Sequence, residues 1–408
     1  MESTTASTIQ HIIILFILTA AAGIGSARIA AALRLPDVVL FIAAGMLLGQ
    51  GVHWIDEPAS SLVNQFILTV GSTLILFDGG RNIRLEGLRK VGWTVGLLSV
   101  PGVLITIAVT GSAIRIIFDI DWLIALLAGA VIASTDPASI IPVFRQVRIR
   151  KKVRETVESE SAFNDATGSI LTFALLAAVT GKSTLNVGAV AFDFAKTALG
   201  GIVVGIVLGI AILYLVAHAS IGLFREFAAI AMLGTALAGY VVGDVLHVSG
   251  FMAAFAAGLI WGNSDLFGIY IEEKQQELTH VSDNVTAVMR MLIFVLLGSQ
   301  VDFGLLAQYG WQSFIAVLVL MFIARPLTVL LCAWPDRKAQ WTWKEMMFMV
   351  WVRETGVIPA ALSGMLIGLG IPHASIIASI TFMAIVLTIM LQASTTGWLA
   401  KKLGVDRG

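Results

Sequence analysis

The chain has 408 residues, 58% of them hydrophobic and 13% charged, with a mean hydropathy of +0.91; an ordinary soluble domain is about 45–50% apolar and about 25% charged. This composition excludes a water-soluble fold and leaves no room for a separate soluble domain. Lys plus Arg balances Asp plus Glu at 26 each, so bulk charge points to no nucleic acid or other polyanion, and the single Cys332 excludes an internal disulfide or a cysteine metal site.

A bilayer-spanning helix needs about 20 mostly apolar residues. In chain order the sequence predicts thirteen: 9–32, 37–52, 61–79, 91–117, 122–143, 160–180, 188–217, 226–246, 248–263, 285–301, 311–334, 345–369 and 374–397. The first run has Glu2 before it and no Lys or Arg, unlike a cleavable signal, and is read as a retained helix. Cationic residues collect on the cytoplasmic side. Twenty of the 26 fall in the loops after spans 1, 3, 5, 7, 9 and 11 and at the C-terminus, and Arg290, Arg325 and Arg353 fall within spans. The reading that follows is a multi-pass protein of the cell (inner) membrane with its N-terminus outside and its C-terminus cytoplasmic. The strongest anchor is Arg145, Arg148, Arg150, Lys151, Lys152 and Arg154 between spans 5 and 6, a topology signal beside lipid headgroups.

Thirteen spans divide into six, a connecting helix at 188–217, and six, so the second half is inverted relative to the first. Within this plan some charges lie where a bilayer makes them expensive, and each is a functional candidate. Span 5 carries Ser134-Thr135-Asp136-Pro137 in its middle. Pro137 removes a backbone donor and should open the helix near Ala133, leaving bare carbonyls and a hydroxyl beside the Asp136 carboxylate, a cation site; a capped proline kink is the structural alternative. Span 6 opens Glu158-Ser159-Glu160-Ser161-Ala162-Phe163-Asn164-Asp165. Glu158, Ser161 and Asp165 share one face, and Glu160 and Asn164 lie on the adjoining strip. Glu155 and Glu158 read as solvated residues of the mouth, whereas Asp165 lies deep. Span 12 carries Arg353-Glu354-Thr355-Gly356 and then Pro359, a second breakable helix at the matching repeat position. Arg353 needs an anionic partner. Glu354 is adjacent and points about 100° away, so Glu160 or Asp78 from another helix is the better candidate. Asp78, before Gly79-Gly80-Arg81, is an end cap or a third acidic neighbour. Arg290 and Arg325 sit near predicted span ends and are read as snorkelling.

These residues resemble the monovalent cation/proton antiporters, in particular the electroneutral branch that holds prokaryotic sodium/proton antiporters and animal sodium/proton exchangers. The resemblance rests on Leu33-Arg34-Leu35-Pro36, Phe77-Asp78-Gly79-Gly80, Thr135-Asp136-Pro137, Asn164-Asp165, Ser249-Gly250-Phe251, Phe294-Val295-Leu296-Leu297-Gly298 and Arg353. Thr-Asp-Pro followed 29 residues after its aspartate by Asn-Asp is the specific part. The resemblance implies an all-α fold with inverted six-helix repeats and broken helices 5 and 12. It divides the chain into a dimerisation scaffold (1–90 and 188–301), an ion-translocation bundle (91–187 and 302–397) and a short cytoplasmic tail (398–408), in a homodimer. It also implies Na+ bound by Asp136, Asp165, Ser161 and Thr135, with Asn164, Glu160, Arg353 and Asp78 in support and Glu160 bridging Arg353. The chain departs from the pattern at Asp78, where many relatives have Glu, and at Glu354, where animal exchangers have Gly.

The chemistry then expected is secondary antiport without a cofactor, ATP or enzymatic turnover. A proton and Na+ or Li+ compete for Asp136 and Asp165, and the bundle crosses only when the carboxylates are neutralised. Asn164 stands where electrogenic relatives carry a second aspartate, so exchange is expected to be one for one. A K+/H+ antiporter of the same fold is the alternative, followed by a cation channel. An intramembrane aspartyl protease lacks its Gly-x-Gly-Asp, since Val241-Val242-Gly243-Asp244 supplies only the last two residues.

Overall fold

A computed structural model describes residues 2–33, 35–58, 61–136, 140, 144, 147–181, 187–217, 226–269 and 272–406. Arg34, Pro137 and Arg145, named above, lie outside the described residues. Among the described residues all regular structure is helical. Nine stretches of the described residues are long and apolar enough to cross a membrane, and four shorter apolar helices accompany them. Each falls on a span that the sequence predicts, and the chain is an all-α polytopic membrane protein.

The elements are α1 (Glu2–Leu33), α2 (Asp37–Met46, continued by a π turn), α3 (Leu62–Asn82), α4 (Leu85–Ser99), α5 (Pro101–Phe118), α6 (Trp122–Val131), α7 (Lys151–Val179) and α8 (Val187–Ala217). They continue with α9 (Ala228–Val245), α10 (Gly250–Gly262), α11 (Glu272–Ser299), α12 (Phe303–Val319), α13 (Arg325–Ala333), α14 (Trp343–Trp351), α15 (Val357–Gly368), α16 (Ala374–Leu387) and α17 (Ser394–Leu403). A π turn, Leu320–Ala324, joins α12 to α13, and another, Thr388–Ala393, joins α16 to α17.

Local chemistry sets the ends. Ser61 caps α3 by accepting from Asn64 N at 3.0 Å, and Thr342 with Glu345 forms a capping box at the start of α14. Pro101 stands at the first position of α5, where its missing N–H is no loss. Helix α7 starts nine residues before the predicted span, so Glu155 and Glu158 lie on the helix itself. Glu158 is buried and bonded to Arg154 at 2.8 Å, which corrects its reading as a solvated mouth residue.

In lipid the hydrophobic effect does not drive helices together, so close packing must. Helices α3, α8, α9, α10 and α11 share a core that includes Phe77, Leu213, Met232, Ala257 and Trp261. Helices α5, α6, α12, α15 and α16 share another around Ile114, Leu127, Val131, Val317, Leu362 and Ile380, which Ala162 of α7 joins. A third cluster forms the seam between these groups: Phe41, Leu68 and Phe294 from one side meet Val357, Phe382 and Ile385 from the other. The α3–α10 contact depends on Gly80 and Gly258, since a Cβ on either would collide with the facing backbone carbonyl, of Phe255 and Phe77 respectively.

Candidate cation-binding site

Helix α6 stops at Val131, and Ile132–Asp136 leave the helical ladder. Carbonyls freed in this way need partners in a membrane. Arg353 supplies them: its Nη2 donates to Ile132 O at 2.9 Å and to Ala133 O at 2.8 Å. The second break, Val352–Gly356, separates α14 from α15. It precedes Pro359, which occupies the first turn of α15, where proline is tolerated. At this break Arg325 donates from Nε to Met349 O at 3.1 Å and from Nη2 to Val352 O at 3.4 Å. Each broken helix therefore presents its negative end to a buried guanidinium from elsewhere in the chain.

The remaining donors of Arg325 bind both oxygens of Glu160, Nη2 to Oε2 at 3.0 Å and Nη1 to Oε1. Two expectations are corrected here. Glu160 pairs with Arg325 and not with Arg353, and Arg325 is buried rather than snorkelling, at 2% exposure. The π turn before Arg325 resets the helical phase, which a count along a regular helix does not show. Arg290 is likewise only partly exposed and lies 3.7 Å from Asp37.

The two breaks meet at a backbone hydrogen bond from Asp136 N to Glu354 O, 2.8 Å. The Asp136 carboxylate lies against Gly356, where a Cβ would overlap it. Gly356 caps α15, so the carboxylate occupies the positive end of that helix. Thr355 N is held by Thr388 Oγ1 at 3.0 Å. From α7, Asn164 clamps the unwound segment: its Oδ1 accepts from Thr135 N at 3.0 Å and its Nδ2 donates to Thr135 Oγ1 at 2.9 Å. Thr135 Oγ1 and Ser161 Oγ share a hydrogen bond of 2.7 Å. Asp165 follows, buried at 3% exposure and within electrostatic reach of Asp136, with its Oδ1 unpartnered.

The structure thus brings together Thr135, Asp136, Ser161, Asn164 and Asp165, with Glu160 and Arg353 bracing the surrounding backbone. Hydroxyls, carboxylates and freed carbonyls are hard oxygen donors, suited to a small monovalent cation and, at the carboxylates, to a proton. Asp78 stands apart. It accepts from Arg81 Nη2 at 2.9 Å, from Ser282 Oγ at 2.6 Å and from Asn82 Nδ2 at 3.1 Å, all in the joint between α3 and α11. Sequence reasoning missed Arg325 as a site residue and gave Glu354 no role beyond pairing. The available signal for Arg325 was an arginine inside an apolar run, directly before Pro326.

Comparisons with known proteins place the chain among relatives. Residues 14–402 match the family model described as sodium/hydrogen exchanger, transmembrane. The chain is 30% identical to Na(+)/H(+) antiporter 1 of Methanocaldococcus jannaschii over 92% of each sequence. It is 29% identical to the K(+)/H(+) antiporter NhaP of Alkalimonas amylolytica, over 96% of this chain and 65% of that one. The solved structure of the sodium proton antiporter MjNhaP1 from Methanocaldococcus jannaschii at pH 8 superposes with a TM-score of 0.84, at 30% identity and 99% coverage of both chains. With the family model spanning nearly the whole sequence, the chain belongs to the sodium/hydrogen exchanger family.

Proposed function

We propose that the protein is a secondary antiporter and not an enzyme, exchanging Na+ or Li+ for H+ across the membrane. The single observation that carries the reading is the pair of buried carboxylates, Asp136 and Asp165, at the crossing of two broken helices. Thr135 and Ser161 supply the further oxygens. A charged, empty site is costly to carry through an apolar seam, since an uncompensated buried charge is strongly unfavourable. The Asp136 charge rests at the positive end of α15, and binding either a proton or a cation neutralises the second carboxylate, Asp165, so the loaded bundle moves and the empty one does not. One proton exchanges for one cation because Asn164 adds no charge. Each pH unit across the membrane, about 1.4 kcal/mol, then supports about a tenfold cation gradient.

In this reading residues 1–90 and 188–301 form the scaffold and dimer contact, and 91–187 and 302–397 form the moving bundle, with thirteen spans and the C-terminus in the cytoplasm. The identity to a K(+)/H(+) antiporter favours K+/H+ exchange as the second reading. The test is dissipation of a pH gradient in proteoliposomes on addition of Na+, Li+ or K+, with the membrane potential clamped at zero. The expected result is a response to Na+ and Li+, with the apparent KM for the cation rising as pH falls. A response to K+ alone selects the second reading, and no cation-dependent proton movement at any pH overturns both. Net exchange driven by an imposed potential overturns the one-for-one stoichiometry.

A further inference from the structure

Glu354 is fully buried, and neither of its carboxylate oxygens has a hydrogen-bond partner. An ionised carboxylate in that condition costs several kcal/mol unless something neutralises it. The nearby guanidiniums are committed elsewhere: Arg353 to the carbonyls of Ile132 and Ala133, and Arg325 to Glu160, Met349 and Val352. The main chain of Glu354 touches the site, because its carbonyl accepts the Asp136 N–H. Its neighbour Thr355 is bonded to Thr388, and about one turn along the same π turn is Gln392. The Gln392 side chain is also fully buried, with Oε1 and Nε2 both unpartnered. Unsatisfied oxygens thus recur on side chains of the segments that build the crossing and its support: Asp165 Oδ1, both oxygens of Glu354, and Gln392 Oε1. The irregular π turn is a feature that recurs at functional sites.

We propose that Glu354 is a further cation ligand: with the amide oxygen of Gln392 it forms a second oxygen-lined subsite adjoining Asp136, which a monovalent cation occupies on its way to or from the first. The inference rests on the antiport reading of the same site and extends it. The chemistry is that of a hard cation, with one carboxylate and one carbonyl oxygen as donors and no sulfur or imidazole nitrogen.

The experiment compares the wild type, Glu354→Gln and Glu354→Asp as full chains. One readout is the melting temperature of the detergent-solubilised protein in NaCl, LiCl and choline chloride, and the other is cation-dependent proton movement in proteoliposomes. Glu354→Gln keeps the size of the side chain and mimics a permanently protonated glutamate. The expected result is a wild-type melting temperature in choline, a reduced stabilisation by Na+, and an apparent KM for Na+ raised at least about tenfold, with kcat less affected. Glu354→Asp, which keeps the charge, should retain a cation response but change the Na+ to Li+ preference, and it decides the matter if the Gln variant does not fold. The proposal is overturned if Glu354→Gln has the KM and cation-dependent stabilisation of the wild type, or if the Asp variant, with the Gln variant unfolded, keeps wild-type KM and preference. A wild type without any cation response would instead defeat the antiport reading itself.

Discussion

Two buried charge clusters in this molecule are built from the same residue types and differ in completeness. In the α3–α11 joint, both oxygens of Asp78 are engaged, Oδ1 by Arg81 and Ser282 and Oδ2 by Asn82. At the crossing of the broken helices, Arg325, Arg353 and Glu160 are similarly engaged, yet Asp165 Oδ1 and both oxygens of Glu354 are not. A closed network of this kind holds helices in register. An open one leaves oxygens unmet, and in the proposed function a cation or a proton meets them.

The largest effect expected from this contrast is complete loss of transport. Asp165→Asn should abolish cation-dependent proton movement in proteoliposomes while leaving a monodisperse, folded protein; retained exchange would remove Asp165 from the site. Next are the closed pairs. Glu160→Gln strands the Arg325 guanidinium and should destabilise the protein by about 3–5 kcal/mol, seen as a lower melting temperature, whereas Glu160→Leu with Arg325→Met should recover only part of that loss, because the Met349 and Val352 carbonyls lose their donor. Asp78→Asn should likewise lower the melting temperature but leave the Na+ to Li+ preference unchanged, and a changed preference would show that the two clusters are not separate in function. Thr135→Val removes the hydroxyl shared with Ser161, costing about 1 kcal/mol or roughly fivefold in KM for the cation, measurable from initial rates. The smallest effect belongs to the basic edge at the start of α7. Lys152 lies 2.8 Å from Glu345 and 4.4 Å over the Trp341 ring, and Lys152→Met should cost about 0–1 kcal/mol of stability, shrinking further with added salt.

Much of this architecture is legible from local chemistry. Apolar runs mark the membrane helices, and polar residues near glycine or proline mark the two breaks. The nearness of Thr135 to Ser161 follows from the resemblance, and Asn164 lies on the strip of α7 that adjoins the Ser161 face. The partner of Glu160 was not legible. Arg325 and Glu160 are 165 residues apart, and only the packed arrangement of α7, α13 and α14 brings them together. The same holds for Arg353, whose role is to satisfy carbonyls that exist only because another helix opens. An arginine's need for an anion is a good rule in an apolar medium, and here it gave way to a competing need, that of freed backbone oxygens at a helix end. The burial of Glu158 escaped for a simpler reason: α7 begins a full two turns before hydropathy alone would start it.

The crossing itself has a mechanical consequence. Because Asp136 N is bonded to Glu354 O, a displacement of the unwound segment after α6 carries the segment before α15 with it, and the carboxylate pocket travels as one cassette. The seam around Phe41, Phe294 and Phe382 is packed from aromatic and aliphatic surfaces, and in the proposed cycle it is where sliding is resisted. Recognition and gating are thus assigned to different materials. Under the proposed antiport, hydrogen-bonded backbone would hold the ion and apolar side chains would set how fast the cassette shuttles. Enlarging or trimming the seam would alter turnover while the order of cation preference, written in the cassette, stays the same.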